Sequence, residues 1–251
     1  MAASARFPWR LVAAALLVVL VVFAVRWPLV WAVHWLPRGV VCERPAGSLW
    51  RGRCEALIVG AQRFDATTWQ VRALPLLRAT LAADVTARQG PDSLRGEIER
   101  RPGGRLIVQH AEGDLTLGEG LLRDSALGLH GRLHVEVERA VLHGRSLADL
   151  VGVFTVRQLR QGTVPMGDVE VRFEEPAPGA DTAKGIQGTL RDLGGPLGID
   201  GHVTLTPDAG YVVDGFVTLR ADTAPALARQ IAFLGTPDAA GRRPFSIAGT
   251  Y

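Results

Sequence analysis

Length, composition and charge limit this chain to one apolar N-terminal segment and one domain of ordinary size. Its 251 residues, 47% of them hydrophobic, suffice for a single domain with a substantial core but not for two large ones. The 28 basic and 25 acidic residues alternate without a run of five like charges. The net charge of +3 therefore does not indicate a nucleic-acid-binding protein, which would cluster its basic residues on one face.

The N-terminal segment has the pattern of a membrane span. Residues 11–25 contain no charged or polar side chain, and Trp9 and Trp27 flank them as interfacial aromatic residues do. A span needs about 20 residues, so we predict a signal-anchor transmembrane helix over 10–31. Basic residues before it favour a cytoplasmic tail over 1–9. A cleaved signal peptide is the alternative, and both readings export the rest of the chain.

Two cysteines follow this segment. Cys42 and Cys54 have no accompanying histidine cluster, so they do not form a zinc site. If the chain forms a hairpin that turns near Ser48, the two cysteines lie opposite each other, and an oxidising compartment permits a disulfide. A pair of unbridged, partly buried thiols is the alternative.

A corner motif begins between the cysteines. It is the stretch 47–52 (Gly-Ser-Leu-Trp-Arg-Gly), followed by Trp69. We predict that Gly47 and Gly52 permit positive φ angles at a tight reversal and that Trp50 and Trp69 fill the core beside it. The corner is therefore expected to be structural.

From residue 38 onward, the dominant pattern is the alternation of apolar and polar side chains that is typical of half-buried strands. Residues 133–138 (Leu-His-Val-Glu-Val-Glu) show it plainly. The turn sequence from Pro207 to Gly210 predicts a β-hairpin between two such stretches. Strands are predicted at 39–46, 54–60, 64–72, 80–86, 93–99, 104–110, 114–118, 133–138, 153–160, 168–174, 186–191, 203–206, 211–219 and 243–250.

Helical patterns are few. The clearest covers 223–234, where Thr223 can cap the first turn and Gly235 ends the helix. A weaker candidate covers 146–151. The predicted fold class is mainly β: a single N-terminal transmembrane helix followed, over 38–251, by a curved antiparallel β-sheet domain with one or two short helices.

Motifs that carry catalysis are missing from the sequence. It has no Gly-x-Ser-x-Gly elbow, no phosphate-binding glycine loop that leads into a lysine and no His-Glu-x-x-His pattern. His130 and His134 would lie about 13 Å apart along a strand, too far for one metal ion. A carboxylate pair or triad whose members are distant in the sequence is the alternative. We predict instead that the protein is not an enzyme and has no catalytic, cofactor-binding or metal-binding residues.

The corner motif, placed after an apolar segment, resembles the type II secretion system protein N (general secretion pathway protein N) family. The resemblance covers nearly the whole chain through short structural motifs in the same order, although between about 90 and 185 it extends only to strand character. Its motif residues are Gly47, Ser48, Leu49, Trp50, Gly52, Trp69, Leu74, Pro75, Leu81, Gly195, Gly201, Gly215, Gly235 and Gly241.

The resemblance implies an accessory component of the Gram-negative inner membrane, single-pass, with its C-terminal domain in the periplasm. Export of folded proteins would be supported by contacts with other type II secretion components, the inner-membrane platform and the outer-membrane secretin. A distant AsmA-like resemblance implies the alternative of a periplasmic lipid-binding or lipid-transfer groove. An apolar sheet face would line that groove through Leu81, Val85, Leu133, Val135, Val137, Val203 and Leu205.

Overall fold

The computed structural model describes residues 15–16, 39–59, 62–117, 128–144, 146–176, 185–221 and 223–250. The predicted cytoplasmic tail over 1–9 lies outside them. So does the predicted span over 10–31, except for the exposed helical residues Ala15 and Leu16. None of the helices in these ranges is both long and apolar enough for a bilayer crossing. The tail and the span stay predictions.

The described chain is built almost entirely from β-strands. They are β1 (Val40–Glu43), β2 (Ala46–Gly47), β3 (Arg51–Cys54), β4 (Ala56–Val59), β5 (Gln62–Phe64), β6 (Ala66–Arg72), β7 (Leu81–Gln89), β8 (Asp92–Arg100), β9 (Arg105–Leu117), β10 (Leu129–His143), β11 (Ser146–Gln161), β12 (Val164–Phe173), β13 (Ile186–Gly194), β14 (Leu197–Leu205), β15 (Gly210–Leu219) and β16 (Arg243–Thr250). A 3-10 helix covers Leu74–Arg78, and an α-helix, α1, covers Pro225–Ala232.

Thirteen strands form one antiparallel sheet in the order β16-β15-β14-β13-β12-β11-β10-β9-β8-β7-β6-β3-β2. From β6 to β16 each strand pairs with the next one along the chain, so the sheet is a long meander. β1, β4 and β5 form a separate three-stranded sheet. Turn glycines make several of the reversals, such as Gly90 and Gly144, whose φ angles of 58° and 62° lie in the region that glycine tolerates best.

The mainly β class is confirmed, and so are the hairpin at 207–210 and the helix within 223–234. In that hairpin, Leu205 on β14 pairs with Tyr211 on β15. Thr223, however, does not cap α1, because its hydroxyl donates to the carbonyls of Pro196 and Arg220.

Two local predictions are wrong. The helix predicted at 146–151 is the start of β11, where Leu147 and Leu150 pair with Leu142 and Ala140 of β10. The apolar residues there have a weakly helical spacing, but their pairing within the 16-residue strand β11 outweighs it. The two strands predicted at 104–110 and 114–118 are one strand, β9, since the interruption is a bulge at His110 with a φ of 48° and not a turn.

The strand register gives the large sheet an apolar face and a polar face. One row across β10 to β13 shows the apolar face: Val135, Phe154, Val171 and Leu190 pair in succession. The neighbouring row shows the polar face: His134, Thr155, Glu170 and Arg191. The main core lies on the apolar face and consists of Ala111, Leu115, Val135, Val137, Ala140, Leu150, Val169, Phe173, Leu190 and Val203.

The sheet bends around this core. The hydroxyl of Ser146, at the start of β11, donates to the carbonyl of Pro207, just after β14, over 2.8 Å. Two strands separate β11 from β14 in the sheet order, so a flat sheet would hold them about 14 Å apart. Register shifts within the β10–β11 and β11–β12 pairs are the bulges that permit this bend.

Helix α1 covers one end of the apolar face. Its buried residues Leu227 and Ile231 pack on Leu197 of β14 and Val217 of β15. Leu227 is only 1% exposed. The helix thus covers the apolar face at β14 and β15.

We predict that Leu227→Ala lowers the free energy of unfolding by about 2–5 kcal/mol, because it leaves a cavity between α1 and the sheet. Urea unfolding of the full chain, followed by circular dichroism, measures this change. Phe233→Ala is the control. Phe233 lies one residue beyond α1 and is 90% exposed, so its truncation should change stability by about 0.5 kcal/mol or less. Equal losses in the two variants would contradict the packing role of α1.

Candidate functional site

The corner motif forms the β2–β3 hairpin at one edge of the large sheet. Gly47 pairs with Gly52, and the Ser48 N–H donates to the Arg51 carbonyl over 2.9 Å. Gly47 has a φ of 93°, and a Cβ there would lie 2.4 Å from the Arg51 oxygen. The turn therefore requires glycine at this position, as the sequence predicted.

Gly52 has a different role from the predicted one. Its φ is not in the left-handed region; a Cβ on Gly52 would instead lie 2.3 Å from Cζ2 of Trp69. The indole of Trp69 packs flat on this glycine, and its Nε1 donates to the Leu49 carbonyl over 3.1 Å. Trp50 and Trp69 are both half-buried, and neither belongs to the main core. The Trp69 indole thus clamps the β2–β3 hairpin, through its packing on Gly52 and its hydrogen bond to Leu49.

Cys42 and Cys54 form a disulfide with Cα atoms 5.5 Å apart. The predicted hairpin pairing of the two residues is wrong, because Cys42 on β1 pairs with Leu57 on β4, whereas Cys54 on β3 pairs with Thr67 on β6. The bridge therefore joins the three-stranded sheet to the large one. The sequence predicts a single hairpin here because the intervening strand β2, only two residues long, leaves no clear pattern.

The remaining motif residues do not come together with the corner. Leu74 and Pro75 begin the 3-10 helix, and Leu81 begins β7. At the far side of the sheet, Gly201 of β14 faces Gly215 of β15, where a Cβ on Gly201 would lie 2.4 Å from the Asp214 oxygen. The last three, Gly195, Gly235 and Gly241, occupy turns with positive φ. The motif residues thus set backbone geometry along the sheet and do not build one pocket.

Cross-strand ion pairs cover the polar face. Arg72 on β6 contacts Asp84 on β7 and Glu97 on β8, which ties three successive strands. Arg139 on β10 donates to Asp149 on β11 over 2.8 Å and to Glu175 over 3.1 Å. These side chains are partly exposed, so each pair adds little stability. Their effect is to favour the observed register and to keep this face solvated.

His134 lies between two carboxylates on the polar face. Its two ring nitrogens lie 3.0 Å from Glu136 and 2.9 Å from Asp114. Hydrogen bonds to Glu136 first, and then to Asp114, raise the pKa of His134 above its ordinary value. Folding therefore strengthens the binding of a proton to this imidazole.

Glu170 is the most buried charge on the polar face. Desolvation opposes its ionisation, but hydrogen bonds from Arg172 and Arg191 outweigh that cost and hold the pKa of Glu170 below its ordinary value. Arg191 Nη2 lies 2.6 Å from Glu170 Oε1. A buried carboxylate between two guanidinium groups needs no further ligand, so we assign it a structural role.

A shallow cleft of about 550 Å³ opens on the polar face where the bulges of β9 and β10 lie side by side. Its walls carry Glu112, Glu138, Glu174 and Glu175, with Arg139 and Arg172 among them. The cleft is open and mostly acidic. Within the described ranges, no three His, Cys, Asp or Glu side chains converge as metal ligands. Its chemistry suits contact with a basic or polar surface.

The seven residues predicted to line an apolar groove share the apolar face. Val135, Val137 and Val203 are buried in the core, whereas Leu81 is 47% exposed and Val85, Leu133 and Leu205 are half-buried. The face is therefore closed around β10 to β14 and more open at β7. The alternation in the sequence predicts that these side chains share one face of the sheet, but it does not predict how that face is covered.

Comparison with known protein families identifies a match over most of the chain. The family model described as type II secretion system (T2SS), protein N, matches residues 38–246. No curated protein and no solved structure matches the chain significantly.

We predict that Gly52→Ala lowers the free energy of unfolding by about 1–3 kcal/mol, because the added methyl group displaces the Trp69 indole. In a Trp69→Ala background, the same substitution should cost almost nothing. Urea unfolding of the four proteins in this double-mutant cycle measures the coupling. An equal loss in both backgrounds would contradict the clamp.

The contacts of His134 with Asp114 and Glu136 should stabilise the fold more at low pH than at high pH. Folding raises the pKa of His134. The contribution of His134 to the free energy of unfolding is therefore complete below its unfolded-state pKa of about 6.5 and is lost as the pH rises through its folded-state pKa. His134→Gln should therefore cost more at pH 6 than at pH 9, by about 1 kcal/mol or less. Urea unfolding at both values tests this. The difference should vanish in the Asp114→Asn/Glu136→Gln background.

Proposed function

The chain belongs to the type II secretion system protein N family, and from this membership we propose that it is an accessory inner-membrane component that supports export of folded proteins from the periplasm. The family match over 38–246 is the observation that carries the proposal. We place residues 1–9 in the cytoplasm, a span at 10–31, and the domain over 38–251 in the periplasm. The Cys42–Cys54 disulfide is compatible with that oxidising compartment.

The mechanism we propose is scaffolding by protein contacts. A single bent sheet presents a broad polar face with exposed ion pairs and an acidic cleft, and these suit reversible binding to other proteins more than turnover of a small molecule. A membrane anchor would keep the domain near other anchored components and raise its effective concentration, so weak interfaces would suffice. The partners we propose are the inner-membrane platform and the secretin.

A lipid groove is the second candidate. The observation that favours it is the register, which aligns all seven predicted lining residues on the apolar face. The burial of three of them and the cover provided by α1 leave the β7 end of this set more accessible than its centre. Lipid extracted at a fixed stoichiometry from the purified chain would support this candidate over the scaffold.

Cross-linking in intact secreting cells tests the scaffold. A photoreactive amino acid at Glu138 or Glu174, both exposed in the acidic cleft, should give an adduct with a platform component or the secretin during active secretion. The control is the same amino acid at Thr189, an exposed polar-face position outside the cleft.

Adducts at the cleft positions and none at position 189 are expected. The absence of adducts with any secretion component at both cleft positions would contradict a role for the cleft. If Glu138→Lys/Glu174→Lys left secretion unchanged at normal protein levels, the contact would also be excluded.

A further inference from the structure

The two edges of the large sheet are unequal. One ends in β2, which is two residues long, and the other ends in β16, which is eight residues long. Among the described residues, no strand pairs with the outer side of β16. An edge of this length presents a row of backbone N–H and carbonyl groups that another strand can bind.

Pro244 indicates which backbone groups point outward. In an antiparallel ladder, alternate residues direct both of their backbone groups to the same neighbouring strand. Proline has no N–H, so it costs no ladder bond only when it faces away from β15. Pro244 pairs with Phe216, and with Pro244 directed outward, Ser246, Ala248 and Thr250 are directed outward as well.

The usual protections of an edge strand are missing beyond Pro244. The segment 246–250 (Ser-Ile-Ala-Gly-Thr) has no charge and no further proline. Arg243 does not guard the edge, because its guanidinium is directed to the Gly235 and Ala232 carbonyls at the end of α1. Ile247 is 43% exposed on the apolar face. An exposed apolar side chain thus lies on an unprotected edge strand.

We infer that β16 pairs antiparallel with β16 of a second copy of this chain, about a two-fold axis at Ile247. In this register the residues whose backbone groups point away from β15 lie opposite one another. Ser246 pairs with Ala248 of the partner copy, and Pro244 pairs with Thr250. The two Ile247 residues face each other as a non-hydrogen-bonded pair, with Cα atoms about 4.5 Å apart. No like charges are opposed, because the central five residues are uncharged.

The symmetry of this pairing suits the sheet. A two-fold axis perpendicular to the sheet keeps both apolar faces on the same side, so the exposed Ile247 side chains cover each other. One strand pair buries less area than a standard interface of about 1,200–2,000 Å², so the association is weak and depends on concentration.

Disulfide trapping of the full chain in mild detergent tests the register. Both native cysteines are paired with each other, so an introduced cysteine reports alone. Ile247→Cys should form an intermolecular disulfide under mild oxidation, because its counterpart lies directly opposite. Leu81→Cys is the matched control, since Leu81 has a similar exposure of 47% on the same face but lies on β7.

A trapped dimer of the 247 variant and none of the 81 variant supports the pairing. No trapped dimer at position 247, or equal trapping at position 81, overturns it. Ile247→Lys supplies a second measurement, because two lysines would then face each other. We expect wild-type urea unfolding for this variant and loss of the concentration-dependent dimer in sedimentation analysis; a wild-type chain that stays monomeric overturns the inference. The secretion role is tested separately at positions 138 and 174.

Discussion

The structure depends on the burial of one face of a single, very wide sheet. The Val, Leu and Phe side chains of the apolar face are removed from water by the bend of the sheet and by α1. The bulges at β9 to β12 follow from this requirement, because a regular flat sheet of this width would leave the core exposed. Close glycine pairs such as Gly201 and Gly215 let neighbouring strands approach where the face is crowded.

The polar face meets the opposite requirement and stays in water. Its charges pair across two or three strands, as Arg72 does with Asp84 and Glu97, and His134 does with Asp114 and Glu136. Each pair is weak, but a slip of one residue would send every charge into the core, so the pattern helps to specify the register. The sheet thus has a broad solvated face and a separate buried face on which its stability depends.

Much of the fold could be predicted from the sequence, because period-two alternation and turn residues are local signals. The hairpin at Pro207 to Gly210 and the helix after Thr223 follow from such signals. Long-range pairing does not: nothing local to Cys42 shows that β1 pairs with β4, or that Trp69 packs on Gly52. Residues 146–151 show the opposite case. Their apolar spacing suits a helix, but pairing with β10 makes them the start of a strand. The acidic cleft could not be predicted, because it forms where two bulges meet.

The disulfide between the two sheets has a mechanical consequence. A pull on the chain ahead of residue 40 reaches β1 first, and β1 is held to β4 by only four residue pairs. The Cys42–Cys54 bond offers a covalent path from β1 straight into β3 and the large sheet. The load therefore bypasses residues 43–53, and the corner clamped by Trp69 stays unstretched inside the closed loop. If the domain hangs from a membrane anchor, this bond carries the tether's tension past the four residue pairs that join β1 to β4.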